Sequence, residues 1–557
     1  MKETGYKIAV LIGIVVFAIG IYIGCMAGIT RADGLSQPMA TVWASIGVLT
    51  SGLLVFLGGY LSRKQTQNHF SATHELEVTR SLRDRFTVIT GQLADEAMAV
   101  RTGGVYAMEA LTDDWIERGE LTEAQACINV LCSYLRSPYV TPDGEGLTQT
   151  KVLIKMQSTE RGNEEHYEYR QDDGEVRRSI VRTMVSHLQT TSGNWSDLEF
   201  DFTGATFDRA NFSGAQFNCN VVFDLCRFDG AALFVKTVFR KLSSFRNSKF
   251  NGTRADFSHA EFFGFADFCE AKFHALTTAF VSSRFWGTGT SFIDSHFNCK
   301  VADFQDATFE GWASFLRLKS ERGSFHFQDV KFNGDKTIFD GAIFRHGTTV
   351  DGLPISVTEF DRSIFSADLT QFSNVEFSSN LNSFQGVQFH SKNTNFAAQF
   401  GGDFTSFRGA KFGRGLTKFR KTNFDSSVET SFEEGRFIGG RIRFEGAIFA
   451  CPKILFEKPE TWANVTFDWD SERLDNPEAR KPDNVVLPAE SELRRQVEAA
   501  EEPPEPSGVR RRDLLKFWKW LRVAKLGNSA QSEAGARAER DVEFGDAGGA
   551  LTANDGL

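Results

Sequence analysis

The chain has 557 residues, which is enough for two or three structural units, and 54 of these residues are phenylalanine. The formal net charge of −10 is mild for this length, and both signs are mixed along the chain, which argues against a strong polyanion or polycation. The eight cysteines are scattered without a CxxC pair, which gives no paired metal-ligand spacing and favours reduced thiols in a cytosolic setting.

Residues 1–64 are predicted to form two transmembrane helices. Residues 8–29 contain no charge and are long enough to cross about 30 Å of hydrocarbon at about 1.5 Å per residue, and residues 41–61 form a second apolar run. The lipid bilayer is therefore an expected partner. The positive-inside rule predicts a multi-pass protein of the cell membrane with both termini in the cytoplasm. The basic residues that flank the two spans are Lys2, Lys7, Arg63 and Lys64.

Two alternatives concern this N-terminal segment. Gly24 and Cys25 hint at a lipoprotein cleavage site, but Tyr22 fits that motif poorly and the apolar run exceeds a usual signal core. Gly20, Gly24 and Gly28 form a ridge of small residues, which suits either a homodimer or close packing between the two spans of one hairpin.

Residues 65–196 are predicted to be a juxtamembrane helical region. Apolar residues recur at helical intervals on both sides of Gly103 and Gly104, which are predicted to interrupt the helix. Two further helices are predicted over 124–140 and 176–190. Because the open end of a repeat domain exposes strand edges and apolar core, these helices are expected to cap the domain that follows.

Phenylalanine recurs every five or six residues in the stretch 255–273. On an α-helix this interval would scatter the rings around the surface, and on a continuous strand it would send successive rings to opposite faces. A chain that turns a corner within every interval satisfies the pattern. Residues 197–470 are therefore predicted to form a β-solenoid whose inward side chains are phenylalanines.

Further along the chain the interval alternates between five and seven, which predicts about 24 residues per turn and roughly eleven turns stacked at about 4.8 Å, a rod on the order of 50 Å long. Small residues two positions before each ring leave room for it. The predicted inward residues are Phe207, Phe212, Phe217, Phe257, Phe262, Phe268, Phe273, Phe292, Phe297, Phe304, Phe309, Phe372, Phe377, Phe384 and Phe389.

Units such as ANFSG, AQFNC, AEFFG and AKFHA resemble the pentapeptide-repeat family. The resemblance implies a right-handed, quadrilateral β-helix with one five-residue side per repeat. The sequence before the repeats resembles the leader of membrane-anchored pentapeptide-repeat proteins of actinobacteria. This chain departs from the family in using Phe where Leu is frequent, and in its seven-residue steps, which imply extra residues at alternate corners.

The repeat pattern is interrupted twice. In 316–324, Ser320 falls near an expected inward position, and in 345–359 the apolar residues Val350 and Ile355 could replace missing rings. Each interruption is either a tolerated loop or a binding feature.

No catalytic motif is present in the sequence. Residues 413–418, GRGLTK, are glycine-rich but lie inside the repeats, where glycine marks a corner. The histidines of the repeats are expected to be solvated and isolated. They are His259, His274, His296, His326, His346 and His390. We expect neither enzymatic activity nor a metal or other cofactor.

Residues 471–557 are predicted to be a largely disordered tail, rich in Pro, Glu, Ala and Arg. The segment 509–526 is predicted to be a basic amphipathic helix that lies on an anionic membrane surface or packs on the end of the solenoid. The residues expected to make the surface contact are Arg510, Arg511, Arg512, Leu514, Phe517, Trp518 and Leu521.

The expected function is a non-enzymatic membrane scaffold that presents its solenoid to a cytoplasmic protein partner. The alternative is a DNA mimic that modulates a type II topoisomerase, as relatives in the family do. Mimicry needs dense negative charge, whereas this repeat region has a cluster of basic residues. Nucleic acid is not an expected partner. The cluster comprises Lys411, Arg414, Lys418, Arg420 and Lys421.

Overall fold

The structure is a computed structural model of the whole chain. It describes residues 14–15, 18–22, 37–139, 150–155, 163–168, 173–189, 195–345, 356–438, 440–470, 480–489, 491 and 493.

The N-terminal part of the described chain is helical, with one small hairpin. The helices are α1 (Gln37–Leu93), α2 (Met98–Glu117), α3 (Leu121–Arg136) and α4 (Asp173–Gln189). The antiparallel strands β1 (Thr150–Lys155) and β2 (Asn163–Glu168) lie between α3 and α4, where the sequence predicts only helices. The predicted helices at 124–140 and 176–190 correspond to α3 and α4.

The predicted transmembrane hairpin is not supported. Residues 41–61 are the first part of α1, which continues without a break into polar and charged sequence as far as Leu93. No helix in the part of the chain that the structure describes is long and apolar enough to cross a membrane. Most of the first predicted span, 8–29, lies outside the described residues.

Gly103 and Gly104 do not interrupt a helix, contrary to the prediction, since both lie inside α2 and the break comes at residues 94–97. Gly104 sits where α2 crosses the end of α1. A Cβ atom there would lie 3.1 Å from Gln92 Cβ and 3.2 Å from Leu93 Cδ2. Glycine at this position lets the two helices pack closely, although glycine has a lower helix propensity than most other residues.

A buried arginine of α4 links α3 to α4, and an ion pair within α4 holds it in place. Arg177 is 4% exposed, and its Nε lies 2.5 Å from Asp173 Oδ2. The same guanidinium donates to the carbonyl oxygens of Leu135 (2.8 Å) and Ser137 (2.9 Å). Because the last carbonyls of a helix have no partner within it, Arg177 satisfies the C-terminal end of α3 from α4.

The helices close the first turn of the solenoid. Gln125 on α3 donates from Nε2 to Glu199 O and accepts from Glu199 N through Oε1, both at 2.8 Å. This side chain thereby satisfies the backbone groups that an edge strand leaves open. Trp195 is fully buried, and one hydrophobic core runs from the helices into the phenylalanines of the first turns.

The described residues between 200 and 486 form a parallel β-solenoid of about eleven turns, with strands in four ladders. The first ladder contains Phe200–Asp201, Val221–Val222, Ser243–Ser244, Ala266–Asp267, Gly289–Ser291, Trp312–Ser314, Lys336–Ile338, Leu416–Lys418, Arg441–Arg443 and Val465–Thr466. The second ladder contains Thr206–Phe207, Arg227–Phe228, Lys249–Phe250, Lys272–Phe273, His296–Phe297, Lys319–Ser320, Ile343–Arg345, Asn423–Phe424 and Ile448–Phe449. Two longer strands run through both of these ladders and join them into one sheet, namely Leu369–Ser378 and Asn393–Phe400.

The other two ladders are separate sheets of eleven strands. The third ladder contains Ala232–Leu233, Arg254–Asp256, Thr277–Ala279, Val301–Asp303, Ser324–His326, Val357–Glu359, Leu381–Ser383, Phe404–Ser406, Glu429–Ser431, Ile454–Leu455 and Val485–Val486. The fourth ladder contains Gln216–Phe217, Val238–Phe239, Glu261–Phe262, Arg284–Phe285, Thr308–Phe309, Lys331–Phe332, Ile364–Phe365, Gln388–Phe389, Lys411–Phe412, Arg436–Phe437 and Thr461–Trp462.

The strands of each ladder pair in register from turn to turn. On the third ladder, for example, Thr278 pairs with Ala302, and Ala302 pairs with Phe325. The separation of these partners along the chain agrees with the predicted length of a turn, and the strands in each ladder agree with the predicted eleven turns.

Many corners of the solenoid contain one residue with a left-handed backbone conformation. The second residue after an inward Phe often has a positive φ, as in Lys236 (57°), Glu270 (58°) and Arg317 (53°). Glycine occupies some of these corners, as at Gly204 and Gly214, but charged residues also occupy them. The ladder bonds compensate for the conformational cost, since the Glu270 N–H donates to Ile293 O of the next turn at 2.8 Å.

The last turn is covered by a segment that the sequence analysis assigns to the tail. Val485–Val486 pairs with Ile454–Leu455, and Asn484 Nδ2 donates to the carbonyl oxygens of Phe449 (2.9 Å) and Cys451 (2.6 Å). Trp469 stacks on Phe467 with ring centroids 4.5 Å apart. These contacts shield the final apolar layer.

Candidate functional site

The predicted inward phenylalanines are all buried, with exposures of 3% or less. Rings on successive turns of one ladder stack nearly parallel, as between Phe257 and Phe280 (4.8 Å, 3°), and rings of different ladders meet edge to face across the core, as between Phe257 of the third ladder and Phe268 of the first (5.5 Å, 88°). Both geometries are favourable for aromatic rings. The interior is thus filled by side chains, which leaves the outer surface as the place for function.

The ring column of the second ladder is interrupted at Ser320. Ser320 pairs with Phe297 on one side and Phe344 on the other. Phe325, at the small-residue position of the third ladder, lies edge to face against Phe297 (5.1 Å) and Phe344 (5.3 Å). It replaces the missing ring, so this interruption is a core substitution. Val350 and Ile355 of the other interruption lie outside the described residues.

The buried cysteines of the described chain have the character of inert thiols. Burial raises the pKa of Cys127 to about 11, of Cys132 to about 12 and of Cys299 to about 11. A thiol with so high a pKa carries little thiolate at neutral pH and is a poor nucleophile. Within the described residues there is also no group of three His, Cys, Asp or Glu side chains that could hold a metal ion.

Within residues 413–418, glycine marks a corner of the solenoid, as predicted. Gly415 approaches the preceding turn so closely that a Cβ atom would lie 1.9 Å from Ser391 O. The glycine therefore permits stacking at a corner. The basic amphipathic segment 509–526 and its seven predicted contact residues lie outside the described residues.

The histidines are not all isolated. His326 Nδ1 lies 2.8 Å from Glu359 Oε2 of the next turn. His274 and His296 lie on the second ladder among lysines, and burial together with the charge of these lysines lowers the pKa of both imidazoles. Sequence analysis missed this grouping because its members are separated by a full turn of chain.

A cavity of about 370 Å³ lies between α4 and the first turns of the solenoid. Its charged side chains pair with one another, since Arg178 Nη1 lies 2.8 Å from Asp208 Oδ2 and Arg178 Nη2 lies 2.9 Å from Glu175 Oε2. The Arg178 guanidinium also lowers the pKa of Glu175. The pair with Asp208 docks α4 on the solenoid, the pair with Glu175 lies within α4, and together they leave few unpaired groups for a ligand.

An exposed cluster on the fourth ladder has the composition of a protein interface. We call Arg240, Phe263, Arg284 and Trp286 the aromatic patch. The rings of Phe263 and Trp286 stack at 6.3 Å and 18°, although these side chains are 37% and 44% exposed. Arg240 Cζ lies 4.3 Å from the centre of the Phe263 ring, and Arg284 Cζ lies 6.0 Å from that of Trp286.

The aromatic patch follows from the ladder geometry. A residue directly after an inward Phe faces outward, and in-register pairing places three such residues one above another. The Phe263 N–H donates to Phe239 O at 2.7 Å and the Trp286 N–H to Phe262 O at 2.8 Å, which fixes the backbone. The backbone that carries the aromatic patch is therefore held in place by the ladder.

Comparison with characterised proteins does not assign the chain to a family. No protein-family model matches it, and no curated protein matches it. The regular spacing of inward phenylalanines in a parallel solenoid is compatible with a pentapeptide-repeat fold.

Proposed function

We propose that this protein is a non-enzymatic scaffold of the pentapeptide-repeat type that binds a protein partner through the aromatic patch. The observation that carries the proposal is the stacked pair Phe263 and Trp286, exposed between two arginines on a rigid ladder. Aromatic residues and arginine are enriched in the energetic centres of protein interfaces. A patch that is already ordered loses little conformational entropy on binding.

Proximity labelling in the native host would test the scaffold function, with the full chain fused to a labelling enzyme. The Phe263→Ala and Trp286→Ala double variant should lose a specific set of neighbours that the parent chain labels. Gln388→Ala is the matched control because Gln388 faces outward on the same ladder, away from the patch. An unchanged set of neighbours in the double variant would argue against the patch as the binding surface.

The handedness and the cross-section of the solenoid are also part of what we propose. We infer a right-handed, quadrilateral coil, which the four parallel ladders and the resemblance of the repeats support. Electron cryomicroscopy of the full chain in complex with an antibody fragment would reveal the handedness directly. A left-handed coil would remove the chain from the proposed repeat type.

Membrane attachment through the uncharged segment 8–29 is the second part of the proposed scaffold, with the solenoid on the cytoplasmic side. Its test is fractionation of cells that express the full chain or a variant without residues 1–36. The full chain should sediment with membranes and resist extraction at high pH, whereas the shortened chain should not. Equal recovery of both in the membrane fraction would count against a tether in this segment.

Mimicry of DNA is not proposed. A phosphate-like surface needs dense negative charge, but the second ladder carries an outward row of basic residues over several turns.

A further inference from the structure

The second ladder presents a line of positive charge along the solenoid axis. We call Lys249, Lys272, His296 and Lys319 the basic row. Each of these residues directly precedes an inward position, and they pair in register on four successive turns. Because neighbouring parallel strands lie about 4.8 Å apart, the row extends over roughly 14 Å.

The charges of the basic row are not neutralised by the protein, unlike most of the arginines on the solenoid. Elsewhere a basic side chain commonly meets a carboxylate of a neighbouring turn, as in Arg317 with Asp294 (2.5 Å) and Arg362 with Asp329 (2.6 Å). Within the described residues, no carboxylate oxygen lies within 4.0 Å of the Nζ atom of Lys249, Lys272 or Lys319.

The lysines of the basic row also affect the pKa values of His274 and His296. Burial together with Lys319 and Lys272 lowers the pKa of His296, and burial together with Lys272 and Lys249 does the same for His274. Burial is the larger cause of both shifts, and the contribution of the lysines has the sign of a field that attracts an anion.

The shape of this positive region favours a linear ligand over a planar one. Glu270 and Asp294 occupy corner positions between the first and second ladders, along one edge of the basic row. Asp294 is paired with Arg317, so Glu270 is the carboxylate that would oppose an anionic membrane covering the row. A narrow chain can follow the lysines without approaching the corner.

The side chains beside the basic row favour phosphate groups without bases. The outward residues next to it are Asn251, His274 and Asn298, with Glu321 at its end, and no Phe, Tyr or Trp faces outward on this described stretch of the second ladder. Single-stranded nucleic acids are held on proteins by aromatic platforms for base stacking as well as by positive charge. Lysine, by contrast, binds phosphate as a simple point charge.

We propose that the basic row binds a linear polyphosphate chain, with phosphates at intervals along that chain held by Lys249, Lys272 and Lys319 and by the imidazole N–H of His296. This surface is on a different ladder from the aromatic patch, so the proposal does not depend on the proposed protein partner.

The test is binding of fluorescently labelled inorganic polyphosphate to the full-length protein in a nonionic detergent, over a series of salt concentrations. The three lysines should neutralise about three phosphates and give a slope of about −2 when the logarithm of the association constant is plotted against that of the salt concentration. In the triple variant Lys249→Gln, Lys272→Gln, Lys319→Gln, affinity should fall at least about tenfold and the slope should approach zero.

The matched control is the triple variant Lys331→Gln, Lys336→Gln, Lys411→Gln, which removes the same charge from the first and fourth ladders. It should bind within about twofold of the parent chain, because its lysines are not part of the row. Equal losses in the two triple variants would overturn the proposal, since they would show attraction by net charge alone. Failure of the parent chain to bind polyphosphate at low salt would also overturn it, and so would tighter binding of oligothymidine at equal phosphate concentration.

Discussion

In the neighbouring turns the position of Ser320 carries an inward Phe, and the position of Phe325 carries a small residue. In this turn the two are reversed. On the second ladder the inward residue before Ser320 is Phe297, and on the third ladder the neighbours of Phe325 are Ala302 and Thr358. One ring is therefore missing from one ladder and supplied by the next, so the volume of the core is conserved.

This exchange predicts strong coupling between the two positions. Ser320→Phe alone should destabilise the solenoid by about 1–3 kcal/mol through overpacking, and Phe325→Thr alone by about 3–5 kcal/mol through the cavity that it leaves. The double variant should return close to the parent stability, because it restores the pattern of the neighbouring turns. Urea-induced unfolding of the full chain, followed by circular dichroism, measures all four proteins. Additive losses in the double variant would contradict the exchange.

The ion pair between His326 and Glu359 predicts a dependence of stability on pH. The hydrogen bond from His326 lowers the pKa of Glu359 below its ordinary value of 4.5. A carboxyl whose pKa is lowered by folding stabilises the native state above its unfolded pKa, and this contribution is lost as the pH falls through the folded pKa.

Glu359→Gln should therefore lower the unfolding free energy by on the order of 1 kcal/mol at pH 6, and the difference from the parent chain should shrink as the pH falls below the ordinary glutamate pKa of 4.5. Thermal unfolding from pH 3 to pH 7 measures this difference. Glu321→Gln is the control, since Glu321 is exposed and should give a difference that does not vary in this way. A constant difference for Glu359→Gln across the range would argue against the ion pair.

At the scale of an element, α2 contains two adjacent glycines with opposite surroundings. A Cβ atom on Gly103 would meet nothing within 4 Å, whereas one on Gly104 would press on Gln92 and Leu93 of α1. Gly103→Ala should raise the unfolding free energy by about 1 kcal/mol through helix propensity. Gly104→Ala should lower it, because the backbone of Leu93 would have to move.

The two substitutions are matched in chemistry and differ only in environment, so each serves as the control for the other. Differential scanning calorimetry of the two variants compares them directly. Stabilisation by both would mean that α1 and α2 are not in close contact at Gly104.

The same glycines show where a sequence pattern misleads. Two adjacent glycines are typical of a helix break, and the prediction placed one there. The contact that explains Gly104 comes from another helix, which local periodicity does not report. The break at 94–97 has no glycine or proline to mark it.

At the scale of the whole molecule, the fold could be read from the sequence because the solenoid repeats one local rule. Most phenylalanines of the repeats point inward, successive turns add strands to the same ladders, and the core is the sum of such layers. The aromatic patch and the basic row could not be read in this way. Phe263 and Trp286, or Lys249 and Lys272, are separated by a full turn of chain and meet only when the register between turns is known.

The two ends of the solenoid are closed in different ways, which predicts different consequences for their removal. The first turn is covered by α3 and α4, but the last turn depends on the short segment around Asn484. A chain that stops after Asp470 loses this segment and exposes the edge of Ile454–Leu455 together with the ring of Phe456. Unpaired strand edges bind one another.

We expect the chain that stops after Asp470 to self-associate and its last turn to lose protection from hydrogen exchange. The turns beside α3 and α4 should keep their protection, because each turn of a solenoid depends mainly on its neighbours. A chain that stops after Leu493 is the matched control and should resemble the full chain in both measurements. Light scattering and hydrogen exchange with mass spectrometry follow the two effects. If both truncated chains associate equally, the tail beyond Leu493 protects the end and the Val485–Val486 strand does not.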